Sequence, residues 1–166
     1  MEEFEHVDIL LVEDNPLDAE LTMRGLAKQK LANKITWLKD GAEALDYVFR
    51  RNAYANRPDQ GPRLILLDLK MPRVNGIEVT RAIKSDERTK RIPIVIMTSS
   101  NEESDIAETY NLGVNSYIVK PLDFDSLAEV ARQAGFYWLA INRVAPNQQG
   151  RPKPTRAKVR FCNCRY

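Results

Sequence analysis

Five short apolar runs recur along the chain: ILLV at 9–12, ITWL at 35–38, LILL at 64–67, IVIM at 94–97 and YIV at 117–119. Four of them are apolar throughout rather than alternating, the pattern of parallel strands covered on both faces. The stretches between them return to apolar residues every three or four positions and predict helices. The first opens on NPLD, where Asn15 caps, Pro16 suits the first helical position and Asp18 suits the positive helix end. Its buried side is expected to hold Leu17, Leu21 and Leu26. The second is predicted over 42–50, the third after Gly76, and a polar, weakly amphipathic fourth over 102–111. The fifth, over 124–141, gathers Leu127, Val130, Ala131, Ala134, Trp138 and Ile141 on one face, with Gly135 weakening it. Strict alternation of strand and helix, with right-handed crossovers, predicts an α/β protein: a (βα)5 doubly wound, five-stranded parallel sheet. Residues 51–63 form a long loop before the third strand and are expected to be a solvated insertion.

Composition bounds this picture. A chain of 166 residues supports one domain with a full core. No apolar run is long enough to span a bilayer, and the acidic start MEEFEHVDILLVEDN is not a signal peptide, so a cytoplasmic location without membrane attachment is expected. The two cysteines, Cys162 and Cys164, form neither a disulfide framework nor a zinc site, and His6, the one histidine, is expected to be solvated. Charge divides the chain. Residues 143–166 carry seven Lys/Arg and no acid, whereas residues 1–142 carry a net charge of −5. The domain is therefore placed at 5–142 and a flexible basic extension at 143–166, expected to be solvated rather than nucleic-acid binding because it lacks interleaved aromatics.

The chemistry stands at the strand ends, since open α/β sheets bind ligands outside the carboxyl ends of their strands. Strand one ends in Glu13 and Asp14, strand three in Asp68, strand four in Thr98 and Ser99, and strand five in Lys120 and Pro121. Converging carboxylates repel one another and recruit a cation, and oxygen ligands with open positions suit Mg²⁺. With a lysine and a hydroxyl opposite, the set is a receptor for a phosphoryl group, and the central Asp68 is its candidate nucleophile. Each piece alone has an ordinary reading: EDN as a helix cap, KP as a turn, a terminal lysine that reaches solvent. Their joint order along four strands does not.

The segments ILLVEDNP, LILLDLKMPRVNGIEV, IPIVIMTSS and NSYIVKP resemble the receiver domain of two-component response regulators, over roughly residues 5–141. The resemblance implies a flavodoxin-like receiver fold, with Asp68 as phosphoacceptor and Mg²⁺ held by Asp14 directly, by Glu13 largely through water, by Asp68 and by the backbone carbonyl of Lys70. It implies Thr98 and Lys120 as the switch hydroxyl and the lysine, Tyr117 as the aromatic switch, and a cis bond before Pro121. VEDNPLDAELT, the 51–63 loop and GFYWLAIN are similar to the small response regulators paired with bacterial phytochrome kinases. A histidine kinase, of phytochrome type, is then the implied phosphodonor. The product would be a conformation rather than turnover, so the chain is expected not to be an enzyme beyond self-phosphotransfer and slow autodephosphorylation. The few residues outside the receiver are too short for an output domain, so a stand-alone response regulator is expected. Phe136, Tyr137 and Trp138 cannot share one buried face, and a homodimer through Phe136 and Tyr137 is expected. A haloacid-dehalogenase-type phosphohydrolase would need an acid where Lys70 stands, a nucleotide-binding sheet would need glycines where VEDNP stands, and a phosphate-free scaffold would have no use for the intact acid set.

Overall fold

The computed structural model describes residues 8–28, 34–58 and 60–143; the basic extension beyond Arg143, His6 and the two cysteines lie outside the described residues. Five strands, β1 (Asp8–Val12), β2 (Lys34–Leu38), β3 (Leu64–Leu67), β4 (Ile94–Thr98) and β5 (Ser116–Val119), alternate with five helices. The helices are α1 (Pro16–Ala27), α2 (Gly41–Val48), α3 (Gly76–Ser85), α4 (Glu103–Leu112) and α5 (Phe124–Phe136). All strand pairs are parallel, and the spatial order is β2-β1-β3-β4-β5. The chain reverses its winding between β1 and β3, which makes their carboxyl ends the switch point of the sheet.

The apolar runs fill both faces by strict alternation. Leu10, Val12, Ile65, Leu67, Ile94 and Ile96 face Ala44, Tyr47, Val48, Val79 and Ile83 of α2 and α3. Ile9, Leu11, Leu64, Leu66 and Val95 face Ala19 and Leu26 of α1, while Met97 meets Leu21 of α1 and Leu127 and Ala131 of α5. Each such aliphatic side chain contributes about 1.5–3 kcal/mol by leaving water. The edge strands β2 and β5 are only partly buried, which is why β2 tolerates Thr36 and Val119 remains exposed.

α1 starts as the sequence predicts, with the Asn15 side chain accepting from the Leu17 and Asp18 amides. Leu17, however, is exposed. The small residues Ala19 and Gly25 let α1 lie close to its neighbours, so the buried stripe runs through Ala19, Leu21, Thr22, Gly25 and Leu26. In α5, Leu127, Ala131 and Ala134 are buried as expected and Val130 and Trp138 are half-buried, but Ile141 is exposed. After Phe136 the backbone opens into a π turn over Tyr137–Ile141, and the Asn142 amide donates to the Tyr137 carbonyl at 2.7 Å. The wider turn rotates Ile141 out of the apolar stripe.

Gly135 does not interrupt α5; a Cβ there would lie 2.6 Å from Leu26 Cδ2 of α1. A Cβ on Gly25 would lie 2.1 Å from the Ala128 carbonyl oxygen. The two glycines thus set the closeness of the α1–α5 contact. Gly25→Val is expected to destabilise the domain by about 2–3 kcal/mol, since the obstacle is backbone that cannot rotate away. Urea unfolding of both proteins measures it, and a change under 0.5 kcal/mol, the range of surface substitutions, would contradict this account of the crossing.

The 51–63 loop is mostly exposed but anchored. It opens on a 3₁₀ turn over Asn52–Tyr54, and the Tyr54 hydroxyl donates to Glu43 Oε1 at 2.7 Å. The Arg57 guanidinium covers the Tyr47 ring at 4.4 Å and donates to the Tyr47 carbonyl.

Candidate functional site

The strand ladders run one residue past β1, β3 and β5 and thereby align the polar residues. The Glu13 amide donates to the Leu38 carbonyl, the Asp68 amide to Val12 and the Lys120 amide to Thr98, at 3.0, 3.0 and 2.7 Å. Trp37 Nε1 donates to the Glu13 carbonyl at 2.8 Å and fixes the turn into α1. Three charged side chains become buried together: Glu13 is 2% exposed, Asp68 7% and Lys120 9%.

Burial of charge is tolerated only with partners. Lys120 Nζ donates to Glu13 Oε2 at 2.5 Å, to Asp68 Oδ2 at 2.9 Å and to Asp18 Oδ2 at 2.9 Å, using all three of its protons. The remaining oxygens are also engaged. Asp68 Oδ1 accepts from the Leu69 and Lys70 amides at 2.6 and 3.3 Å, and Glu13 Oε1 accepts from the Asn15 amide at 3.1 Å. Burial pushes the Glu13 carboxyl up to about 7, Lys120 opposes that, and the Asp68 charge adds to it. Burial by itself would lower the Lys120 ammonium, but Glu13 and Asp68 outweigh it and hold it above its ordinary value.

Asp14 stands apart, exposed at the rim, yet Glu13, Asp14 and Asp68 each bring a carboxylate oxygen within 4.8 Å of the others. One ammonium faces four carboxylates here, counting Asp18. An oxygen-only, strongly anionic pocket with one open, solvent-facing member fits a hard divalent cation. The Lys70 side chain points away, with Nζ 3.7 Å from Glu102, so only its backbone is close to Asp68.

Thr98 is fully buried, and its Oγ1 accepts from the Ser100 amide at 3.4 Å. The Tyr117 hydroxyl donates to the Ser100 carbonyl at 3.0 Å, with its ring half-buried against the core. Burial raises the Tyr117 phenol, and the hydrogen bond to Ser100 partly offsets this. Ser100 also donates from its own hydroxyl to Asp105 Oδ2 of α4 at 2.6 Å. Ser100, buried beside an exposed Ser99, therefore ties the Thr98, Tyr117 and α4 positions together.

One expectation is corrected. The bond before Pro121 is trans, as no peptide bond among the described residues is cis. Trans is the favoured isomer even before proline, and Lys120 reaches all three carboxylates from it. Two residues were missed by sequence reasoning. In the sequence Asp18 reads only as a helix-end charge, and Ser100 carries no mark beside Thr98 and Ser99. The signal for Asp18 was its place in the first turn of α1, just beyond the acid pair.

A family model of the response regulator receiver domain matches residues 9–132. The chain belongs to this family. The receiver sequence is 43% identical over 135 residues to the regulatory protein FilR2 of Methanothrix harundinacea, covering 81% of this chain and 85% of that protein. It is 36% identical over 131 residues to the response regulator Rcp1 of Synechocystis sp. PCC 6803, covering 79% and 88%. The fold superposes on the phosphorylated cyanobacterial phytochrome response regulator RcpA with a TM-score of 0.80 and 38% identity, over 85% of this chain and 99% of that one. It matches the Mn²⁺-bound form of Rcp1 with a TM-score of 0.79 and 34% identity, over 84% and 99%. The receiver is thus a response regulator domain of the kind that accepts a phosphoryl group and signals by conformation, and it is similar to phytochrome response regulators. Among the described residues no helix is long and apolar enough to cross a membrane.

Proposed function

We propose that Asp68 is the phosphoacceptor, that the donor is a histidine kinase of phytochrome type, and that the receiver's only covalent chemistry is on itself. The observation that carries this is Asp68: buried, central and bridged by Lys120 to Glu13 and Asp18. An Asp68 carboxylate oxygen forms the new P–O bond as the phosphorus–nitrogen bond to the donor imidazole breaks, and the released nitrogen takes up a proton from solvent. Lys120 follows the charge onto the phosphoryl oxygens. Glu13, Asp14, Asp68 and the Lys70 carbonyl would hold Mg²⁺, which when bound supplies charge neutralisation to those oxygens. The cytoplasm, where such kinases present their phosphohistidine, is the proposed location. Purified histidine kinases, phytochrome-type included, should transfer label to this chain. Failure with every kinase and with acetyl phosphate would overturn the assignment.

Thr98 and Tyr117 are the proposed switch pair. A phosphoryl group on Asp68 offers Thr98 a better partner than the Ser100 amide, and movement of Thr98 disturbs the Ser100 carbonyl that holds Tyr117. α4 follows through Asp105.

Asp14 is the one acid of the metal cluster with no burial to protect it, so it is the residue through which metal affinity is best removed without unfolding. Asp14→Asn is expected to weaken Mg²⁺ binding by at least tenfold, by losing one anionic ligand, while leaving metal-free stability equal or higher because a like charge is gone. Isothermal titration and thermal unfolding in EDTA check both halves; unchanged Mg²⁺ affinity would remove Asp14 from the ligand set.

A homodimer is proposed through the end of α5, where Phe136 and Tyr137 are 42% and 49% exposed while the neighbouring Trp138 packs inward. Truncating an aromatic anchor at an interface centre costs about 2 kcal/mol or more. Phe136→Glu should therefore weaken self-association by roughly 30-fold, with phosphorylation retained. Sedimentation across concentrations tests it, and a wild-type monomer at high micromolar concentration in both phosphorylation states would end the proposal.

A further inference from the structure

At the amino ends of β4 and β5, away from Asp68, the structure holds a cleft of about 380 Å³. That size lies within the range of small-molecule sites, about 300–1,000 Å³. Its lining, among the described residues, includes four cationic residues, Lys84, Lys90, Arg91 and Arg143, together with Trp138 and Asn142, and no acidic residue. The phosphoacceptor rim is strongly anionic, so the two ends of the sheet carry opposite charge.

Lys84 is the informative member. Its ammonium donates to the carbonyl oxygens of Lys90 and Ile92 at 3.1 and 2.8 Å and to Asn115 Oδ1 at 3.3 Å. All three partners are neutral. Burial, with no anionic partner to oppose it, lowers this ammonium to about 8. A lysine that only pinned the loop after α3 would be better placed with a carboxylate, because a half-buried charge without a counter-ion is costly. Lys90 does have an acid, Glu87, at 2.6 Å, but that pair is on the exposed side and Glu87 does not line the cleft. Among the described residues lining the cleft, no anion faces the Lys84 ammonium.

We propose that this cleft binds a small phosphate-bearing anion. Lys84 supplies charge from a half-buried position, its protons already held by neutral acceptors. Lys90, Arg143 and the Asn142 carboxamide supply further donors from the lining, and Trp138 adds an apolar ring.

The test is titration of the full chain with inorganic pyrophosphate and separately with ADP, at low ionic strength and in EDTA so that the acidic rim is without metal. Calorimetry and Trp138 fluorescence, with Trp138→Phe as the reporter control, read the binding. At least one probe should bind saturably with a Kd below ~1 mM. Lys90→Glu and Arg143→Glu, both at exposed positions, should each weaken it about tenfold through reversal of a nearby charge. Lys84→Met should do the same where it folds, as judged by circular dichroism; the two surface variants decide the matter where it does not. Absence of binding of either probe, or binding indifferent to both reversals, overturns the proposal.

Discussion

Asp68→Asn is expected to take up no label, from a kinase or from acetyl phosphate, to the background of the assay. The substitution is nearly isosteric. The asparagine oxygen can still accept the Leu69 and Lys70 amides that Asp68 Oδ1 accepts now. What is lost is the anionic nucleophile, and no neighbour is placed to replace it. Glu13 is buried with both oxygens engaged, by Lys120 and the Asn15 amide. Asp14 is at the rim, and Asp18 is held on the far side of the ammonium. Because the change removes one charge from an overcrowded acidic pocket, the variant should unfold no earlier than the parent in the absence of metal. A Phos-tag gel and urea unfolding on the same samples test the pair of expectations. Retained labelling would move the phosphoacceptor elsewhere.

Lys120→Met should have the largest effect on stability, about 3–5 kcal/mol in metal-free buffer at pH 8, because three carboxylates lose their shared cation inside the fold. The sign of its pH dependence follows from Glu13. Its carboxyl sits at about 7 in the folded domain against 4.5 ordinarily. This contribution to stability is fully present below about 4.5 and lost as pH rises through about 7. Without Lys120 the Glu13 carboxyl is harder still to ionise, so the loss should steepen. The deficit is therefore larger at pH 8 than at pH 5, and Mg²⁺ should restore part of it. Denaturant unfolding at the two pH values measures this. An equal deficit at both would mean that packing of the lysine stem, not charge, holds the site together.

Most of the architecture was legible because buried parallel strands write themselves as unbroken apolar runs. LILL at 64–67 and IVIM at 94–97 are buried residue for residue. Glu13, Asp14, Asp68, Thr98 and Lys120 were legible for a related reason: each follows directly on such a run, and strand ends share one rim. What escaped depends on geometry between elements. Asp18 reaches Lys120 only because the start of α1 and the end of β5, far apart in the chain, meet at one rim of the sheet. The exposure of Leu17 and Ile141 follows from the close α1–α5 approach and from a π turn, neither of which leaves a periodic mark. Gly135 reads as a weak point in a helix until Leu26 is seen against it. The cationic cleft gathers residues from 84 to 143 that are neighbours only after folding.

α4 buries a single residue, Thr109, among its ten. An element so lightly moored is a compliant reporter. Small forces displace it, and the same softness sets a noise floor. If only about 2 kcal/mol separates its two positions, the signalling position is occupied a few per cent of the time with no phosphate present. The Ser100–Asp105 hydrogen bond, which in the proposed switch carries movement to α4, then also serves as its damping, holding unprompted output down.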